Sequence, residues 1–169
     1  MKTETAIGFG SNLGDRLANL GEALRRLEAL PGVRLLEKSS VYETEPVGVP
    51  AIYASLDFLN AVAIFEVTLE CEAWSGAVHA IEDAMLRQRT GVRNAPRIID
   101  LDILYFGDCM MDQPHLHLPH PQCVSRRFVC APLAELRPGL VLPGETRTIS
   151  AILANLPLEP KVVKLETGN

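Results

Sequence analysis

Long apolar runs are missing from this chain of 169 residues, and nothing in it approaches the length of a membrane-spanning helix. The first residues, Met1-Lys2-Thr3-Glu4-Thr5, lack the charged-then-apolar layout of a secretory signal, so a cytoplasmic protein with no membrane partner is expected. Basic excess is also missing: the net charge of −5 argues against general nucleic-acid binding, because phosphate backbones reward basic surfaces. The four cysteines, Cys71, Cys109, Cys123 and Cys130, form no C-x-x-C pair and no small-scaffold spacing. They read as reduced thiols, with one disulfide left open. No G-x-x-x-x-G-K-[ST] phosphate loop occurs, nor any repeat, low-complexity tract or linker. What remains is ordinary globular composition, 47% apolar and 22% charged, and a single domain over residues 1–169 is expected.

The periodicities give an order of elements. A strand over residues 5–10 ends in a glycine-containing turn, and from Asp15 leucines 17, 20, 24, 27 and 30 fall on one helical stripe that Pro31-Gly32 stops. A strand from about Val33 to Thr44, a loop rich in Pro and Gly, and a strand from Phe58 to Val67 follow. Residues 69–86 read as a helix with Trp74, Ala77, Val78, Ile81 and Met85 inward. Residues 97–106 form a strand, 116–118 a short one, 125–136 a helix capped by Ser125, and 149–156 a last helix. The order predicts an α+β fold, a ferredoxin-like βαββαβ core with additional C-terminal strands and helices.

The chemistry concentrates in the strand Arg97-Ile98-Ile99-Asp100-Leu101-Asp102-Ile103-Leu104-Tyr105-Phe106. Alternation puts Asp100 and Asp102 on one face, with Ile99, Leu101, Ile103 and Tyr105 on the other. Two carboxylates about 6.6 Å apart along a strand repel each other unless a hard cation sits between them. Just upstream, residues 86–97 carry four arginines and no acid, a local basic loop on an acidic chain. Arg87 and Arg89 converge on one ligand only if the helix ends near Leu86; a guanidinium fork then suits phosphate oxygens. The plainer readings are a solvated loop or pairing with Glu82 and Asp83. Gly8-Phe9-Gly10-Ser11-Asn12-Leu13-Gly14 has its third glycine one place late for a dinucleotide fingerprint and reads better as a tight turn before a helix. His115, His117 and His120 resemble a metal cluster but lack organised partners, and His120 is more attractive as a phosphate donor near Arg126.

Taken together, these blocks resemble the 6-hydroxymethyl-7,8-dihydropterin pyrophosphokinase family. The matching segments are Gly10-Ser11-Asn12-Leu13-Gly14, Val41 to Gly48, Phe58-Leu59-Asn60-Ala61, Ile81-Glu82 with Arg87-x-Arg89, Pro96 to Leu104, and Leu118-Pro119-His120 with Arg126-Arg127-Phe128-Val129. The resemblance implies a monofunctional enzyme, expected as a monomer, that moves pyrophosphate from ATP to the pterin hydroxymethyl oxygen and releases AMP. It implies that Asp100 and Asp102 hold two Mg²⁺ ions and that Arg87 and Arg89 close over the phosphates. Arg97, His120 and Arg126 are implied as fixed phosphate contacts, with His79 and Ile103 on the nucleotide side. The pterin is implied to lie between Phe58 and Phe128, read by the backbone of Thr44, Glu45 and Val47 and the side chain of Asn60. The chain departs from the family at Asn94, where an aromatic is common. No side chain stands out as the general base. Phe58 and Phe128 as ordinary core residues, a non-catalytic nucleotide- or metal-binding ferredoxin-like module, and a histidine-based metal hydrolase are the competing readings.

Overall fold

The computed structural model describes residues 1–46, 48–53, 56–85 and 98–166. Along the chain run β1 (Thr3–Ser11), α1 (Arg16–Glu28), β2 (Val33–Lys38), β3 (Tyr42–Thr44), a 3-10 turn (Ala51–Tyr53) and β4 (Phe58–Val67). They are followed by α2 (Cys71–Ala84), β5 (Asp100–Phe106), β6 (Met111–Gln113), β7 (Leu116–Leu118), α3 (Arg127–Leu136), α4 (Ile149–Asn155) and β8 (Val162–Lys164). The main sheet has the order β5-β1-β4-β3-β8, with β2 also on β4, and every pairing among these strands is antiparallel. Strands β6 and β7 make a separate hairpin. Among the described residues no helix is long and apolar enough to cross a membrane.

Strand alternation sorts the core into two layers. In β4, Leu59, Ala63, Phe65 and Val67 face α1 and α2, meeting Leu20, Leu27, Trp74 and Val78. The alternate residues Val62 and Ile64 face α3 and α4, meeting Cys130, Leu133, Ile149 and Ile152. One polar chain crosses the first layer: the Trp74 indole N–H donates to Thr5 Oγ1 (3.2 Å), whose hydroxyl donates to the Tyr105 carbonyl (2.7 Å). Trp74 therefore buries its ring without an orphaned donor.

Several expectations need correction. The strand expected from Val33 to Thr44 is two strands, because the register against β4 slips by one residue within β2 and again before β3. At the break the Ser39 hydroxyl, not a backbone carbonyl, accepts the Val62 N–H (2.9 Å). Tyr105 does not share a face with Leu101 and Ile103. A bulge opposite Ala6/Ile7 makes Leu104 an extra residue, so Leu104 and Tyr105 both enter the α3/α4 layer. Leu17 is not on the buried stripe of α1; it is 49% exposed, while Ala23 is buried. Ser125 does not cap α3: Arg126 holds that position and the Ser125 hydroxyl donates to the Gln122 carbonyl. Gly8 and Gly10 lie within β1, inside the strand expected over residues 5–10, and the turn glycine is Gly14, with a positive φ of 71°. Strands β6 and β8, three residues each, were not expected from the sequence.

On β1, Glu4 receives the Tyr105 hydroxyl (2.7 Å) and the Arg137 guanidinium (3.1 and 3.2 Å). Burial pushes its carboxyl upward, but the bonds from Arg137 and Tyr105 outweigh that and hold it below the ordinary carboxylate range. The folded state therefore holds the Glu4 proton less readily than the unfolded one. Its stabilisation is complete above the ordinary carboxylate pKa and is lost as pH falls through the lower folded value. Glu4→Gln should accordingly lose stability near neutrality and show a flatter acid limb, read from urea midpoints between about pH 6 and pH 3.

Candidate active site

The α3/α4 face of the sheet is core at one end and an open cleft at the other. Cross-strand register explains the change. Asp100, Gly10, Asn60 and Tyr42 form one row across β5, β1, β4 and β3, and Asp102 pairs with Gly8. Glycine at positions 8 and 10 leaves β1 bare between the acids and Asn60. A Cβ on Gly10 would come 3.3 Å from Asn60 Nδ2 and 3.8 Å from the Asp100 Cβ. The result is a cavity of about 490 Å³ floored by β1, β4 and β5, roofed by the start of α3, and reaching round the end of β5 to α2.

Asp100 and Asp102 both line this cavity, and both are only partly buried. Hard cations such as Mg²⁺ take one or two carboxylates from a protein and complete their shells with water and substrate phosphates. The pair fits that demand in chemistry and spacing. His120 Nε2 lies 3.8 Å from Asp102 Oδ1, too far for a hydrogen bond. The His120 main chain is fixed to β5 by its N–H donating to the Leu104 carbonyl (2.8 Å). Its Nδ1 accepts the Gln122 N–H (3.2 Å), so the neutral ring carries its proton on Nε2, on the side toward Asp102. Burial and the Arg126 charge push the imidazole pKa down, against a pull upward from Asp100. Arg126 stacks its guanidinium 5.5 Å from the Phe128 ring centroid, so cation and ring arrive together at the α3 end of the cleft.

At the β3 end, Thr44 Oγ1 and Asn60 Oδ1 are buried in the cleft wall with no hydrogen-bond partner among the described residues. Buried polar atoms cost stability when unpaired, and two of them in one cavity mark where a ligand's polar edge is received. Phe58 and Phe128 both line the cavity, are only partly buried, and belong to neither buried cluster. Glu45 also lines the wall. His79 reaches the cavity from α2; its Nδ1–H donates to the Ser75 carbonyl (2.8 Å), leaving Nε2 as the acceptor.

The Ile103 side chain is not in the cavity wall: it packs in the α1/α2 layer. Arg87, Arg89, Arg97, Val47 and Asn94 lie outside the described residues. The other histidines go elsewhere, His115 to Glu72 (2.9 Å) and His117 to Asp112 (2.8 Å). Among the described residues no group of three or more His, Cys, Asp or Glu could hold a metal, which removes the support for a histidine-built centre.

Sequence reasoning missed Glu82 as part of the site. It is 1% exposed, lines the cavity, and accepts the Leu101 N–H at 2.6 Å, the residue between the two aspartates. The signal was present: Trp74, Val78 and Glu82 repeat at i+4, which puts an acid on the buried stripe of α2.

Such a layout suits a small-molecule transferase that joins an anionic co-substrate to a flat ring. The chain matches the family model described as 7,8-dihydro-6-hydroxymethylpterin-pyrophosphokinase over residues 6–138, and it belongs to that family. It is 39% identical over 153 residues to the 2-amino-4-hydroxy-6-hydroxymethyldihydropteridine pyrophosphokinase of Pseudomonas aeruginosa, covering 90% of this chain and 91% of that one. It is 38% identical over 145 residues to the enzyme of the same name from Methylorubrum extorquens, covering 85% and 89%. Against the Folic acid synthesis protein fol1 of Schizosaccharomyces pombe the identity is 36% over 89% of this chain, which spans 20% of that longer protein. The fold matches a crystal structure of Plasmodium falciparum HPPK-DHPS with pteroate at a TM-score of 0.71 and 14% identity, over 91% of this chain and 42% of that one.

Proposed function

We propose that this chain carries out the reaction of its family, moving the β,γ-pyrophosphoryl group of ATP to the hydroxymethyl oxygen of 6-hydroxymethyl-7,8-dihydropterin and releasing AMP, a step of folate biosynthesis. One observation supports the reading most. A single cleft is lined by the acid pair of β5 at one end and, at the other, by Thr44 and Asn60 with their unpartnered buried oxygens. Strands β5 and β4 are two spacings apart, about 10 Å, room for a phosphate chain beside a bicyclic ring.

The ring stacks on Phe58 and Phe128, and its N–H groups donate to Asn60 Oδ1 and Thr44 Oγ1; the resemblance adds the backbone of Thr44, Glu45 and Val47. His120 Nε2–H donates to a phosphate oxygen, and Arg126 neutralises charge there. Arg87, Arg89 and Arg97 join them as the resemblance implies. Asp100 and Asp102 would hold the Mg²⁺ ions, two in the family pattern, which when bound neutralise phosphate charge and ease loss of the acceptor hydroxyl's proton. His79 Nε2 serves the nucleotide side. Ile103 contributes through its backbone, which by strand alternation faces the same open edge of β5 as the Leu101 N–H.

The core of the sheet is ferredoxin-like in this reading. With β2 and β3 counted as one interrupted strand, the four core strands take the order 4-1-3-2, and α3, α4 and β8 are additions. A single domain, monomeric and cytoplasmic, completes the reading. With MgATP and the pterin, the nucleotide product is expected to be AMP, resolved by ion-pair chromatography; accumulation of ADP would reject the assignment.

A further inference from the structure

Arg127 stands between Arg126 and Phe128, and neither the phosphate nor the ring chemistry uses it. Its guanidinium instead turns to the end of α4. Nε donates to the Pro157 carbonyl (2.9 Å), and Nη2 donates to the carbonyls of Leu153 (3.1 Å) and Leu156 (2.9 Å). The last carbonyls of a helix have no partner within it, and a cation at that end is favoured by the helix dipole. Arg127 thus satisfies the C-terminus of α4 and fixes where the chain leaves it.

The chain that leaves is Leu156-Pro157-Leu158-Glu159-Pro160, and four of its residues, Leu156, Pro157, Glu159 and Pro160, line the cleft. Its far end is tied as well. β8 pairs with β3, Val162 opposite Thr44, and the Leu165 N–H donates to the Val41 carbonyl (2.8 Å). Two prolines restrict the short span between these anchors. None of it falls within residues 6–138, the stretch that matches the family model. β8 is four strand spacings from β5, about 19 Å, so the strap borders the ring end of the cavity and not the end that holds Asp100 and Asp102.

We propose that the Leu156–Pro160 strap is a specificity wall for the ring substrate, with Arg127 as the positioning residue that holds it against the cleft. The wall confines the flat acceptor at the β3 end and leaves the triphosphate end untouched. This rests on the pyrophosphokinase reading, and the two separate cleanly in experiment. AMP formation by the unaltered protein tests the reaction itself, and the kinetic pattern of the variants tests the wall.

Arg127→Ala should raise KM for the pterin about tenfold while KM for ATP stays within about twofold. Arg127→Lys, which keeps the charge but loses the fork, should fall between Arg127→Ala and the unaltered protein. Pro157→Gly, which loosens the strap and leaves Arg127 in place, should move pterin KM in the same direction. It decides the matter if Arg127→Ala does not fold. In hydrogen-exchange mass spectrometry, peptides covering 156–165 should exchange faster in Arg127→Ala, with those of β1 and β4 unchanged. Pterin KM at the unaltered value in both variants, or equal rises in both KM values, overturns the wall.

Discussion

Asp100→Ala and Asp102→Ala should each lower turnover by about three orders of magnitude, since on the proposed function each loses a ligand for a charge-neutralising cation and with it about 4 kcal/mol of transition-state stabilisation. The argument is geometric as well as chemical. Both carboxylates reach the cavity from a strand whose partner residues across the ladder are Gly10 and Gly8, so β1 places no side chain where the proposed function puts phosphates and cations. Both acids are only partly buried, so the variants should fold, with melting temperatures within a few degrees of the unaltered protein. Asp100→Asn and Asp102→Asn keep the shape and lose the charge, and should be nearly as damaging. AMP release under saturating substrates is the measurement. A variant that keeps more than about a tenth of the turnover would remove the acid pair from the phosphate chemistry.

Glu82→Ala should damage both stability and turnover, and Glu82→Gln should separate the two. Among the described residues β5 is an edge strand, paired with β1 on one side. Leu101 is 4% exposed, and its N–H is satisfied by Glu82 Oε1 at 2.6 Å. Removing the carboxylate leaves a buried amide without that acceptor and opens a void, a loss of about 2–3 kcal/mol. In a chain of this size that is about 4–12 °C in melting temperature. Glutamine still offers a carbonyl oxygen to the amide and should recover most of the stability. Turnover should fall about tenfold or more in both, because the bond fixes the peptide between the two aspartates and a neutral acceptor holds it less firmly. Thermal melts and AMP release on the same preparations make the comparison. Normal turnover in Glu82→Ala would show that the acid serves packing alone.

How much of this was legible beforehand depended on the range of the interaction that fixes each feature. Patterns set by neighbouring residues were readable. The Asp100/Asp102 pair shares a face because strand side chains alternate, and β4 falls at Phe58–Val67 as read because its apolar run is long and cleanly bounded. Asp15 was readable as the start of α1, where its carboxylate accepts the Ala18 N–H (3.0 Å). Features set by distant residues were not. The break between β2 and β3 and the bulge that turns Tyr105 away from Leu101 are matters of register, and register is decided by the strand opposite.

The site divides in the same way. From its residues the chain by itself determined the chemical inventory: a strand bearing two carboxylates, a basic segment beside it, and the motif order of a pyrophosphokinase, because acidity, charge and alternation are local properties. Only the tertiary structure decided what those groups meet. It set Gly8 and Gly10 opposite the acids, brought Glu82 to the Leu101 amide, sent the Ile103 side chain into the core, and folded the C-terminal strap under Arg127 to wall the cleft. Each of those contacts joins residues far apart along the chain, and nothing in the spacing of one partner encodes the arrival of the other.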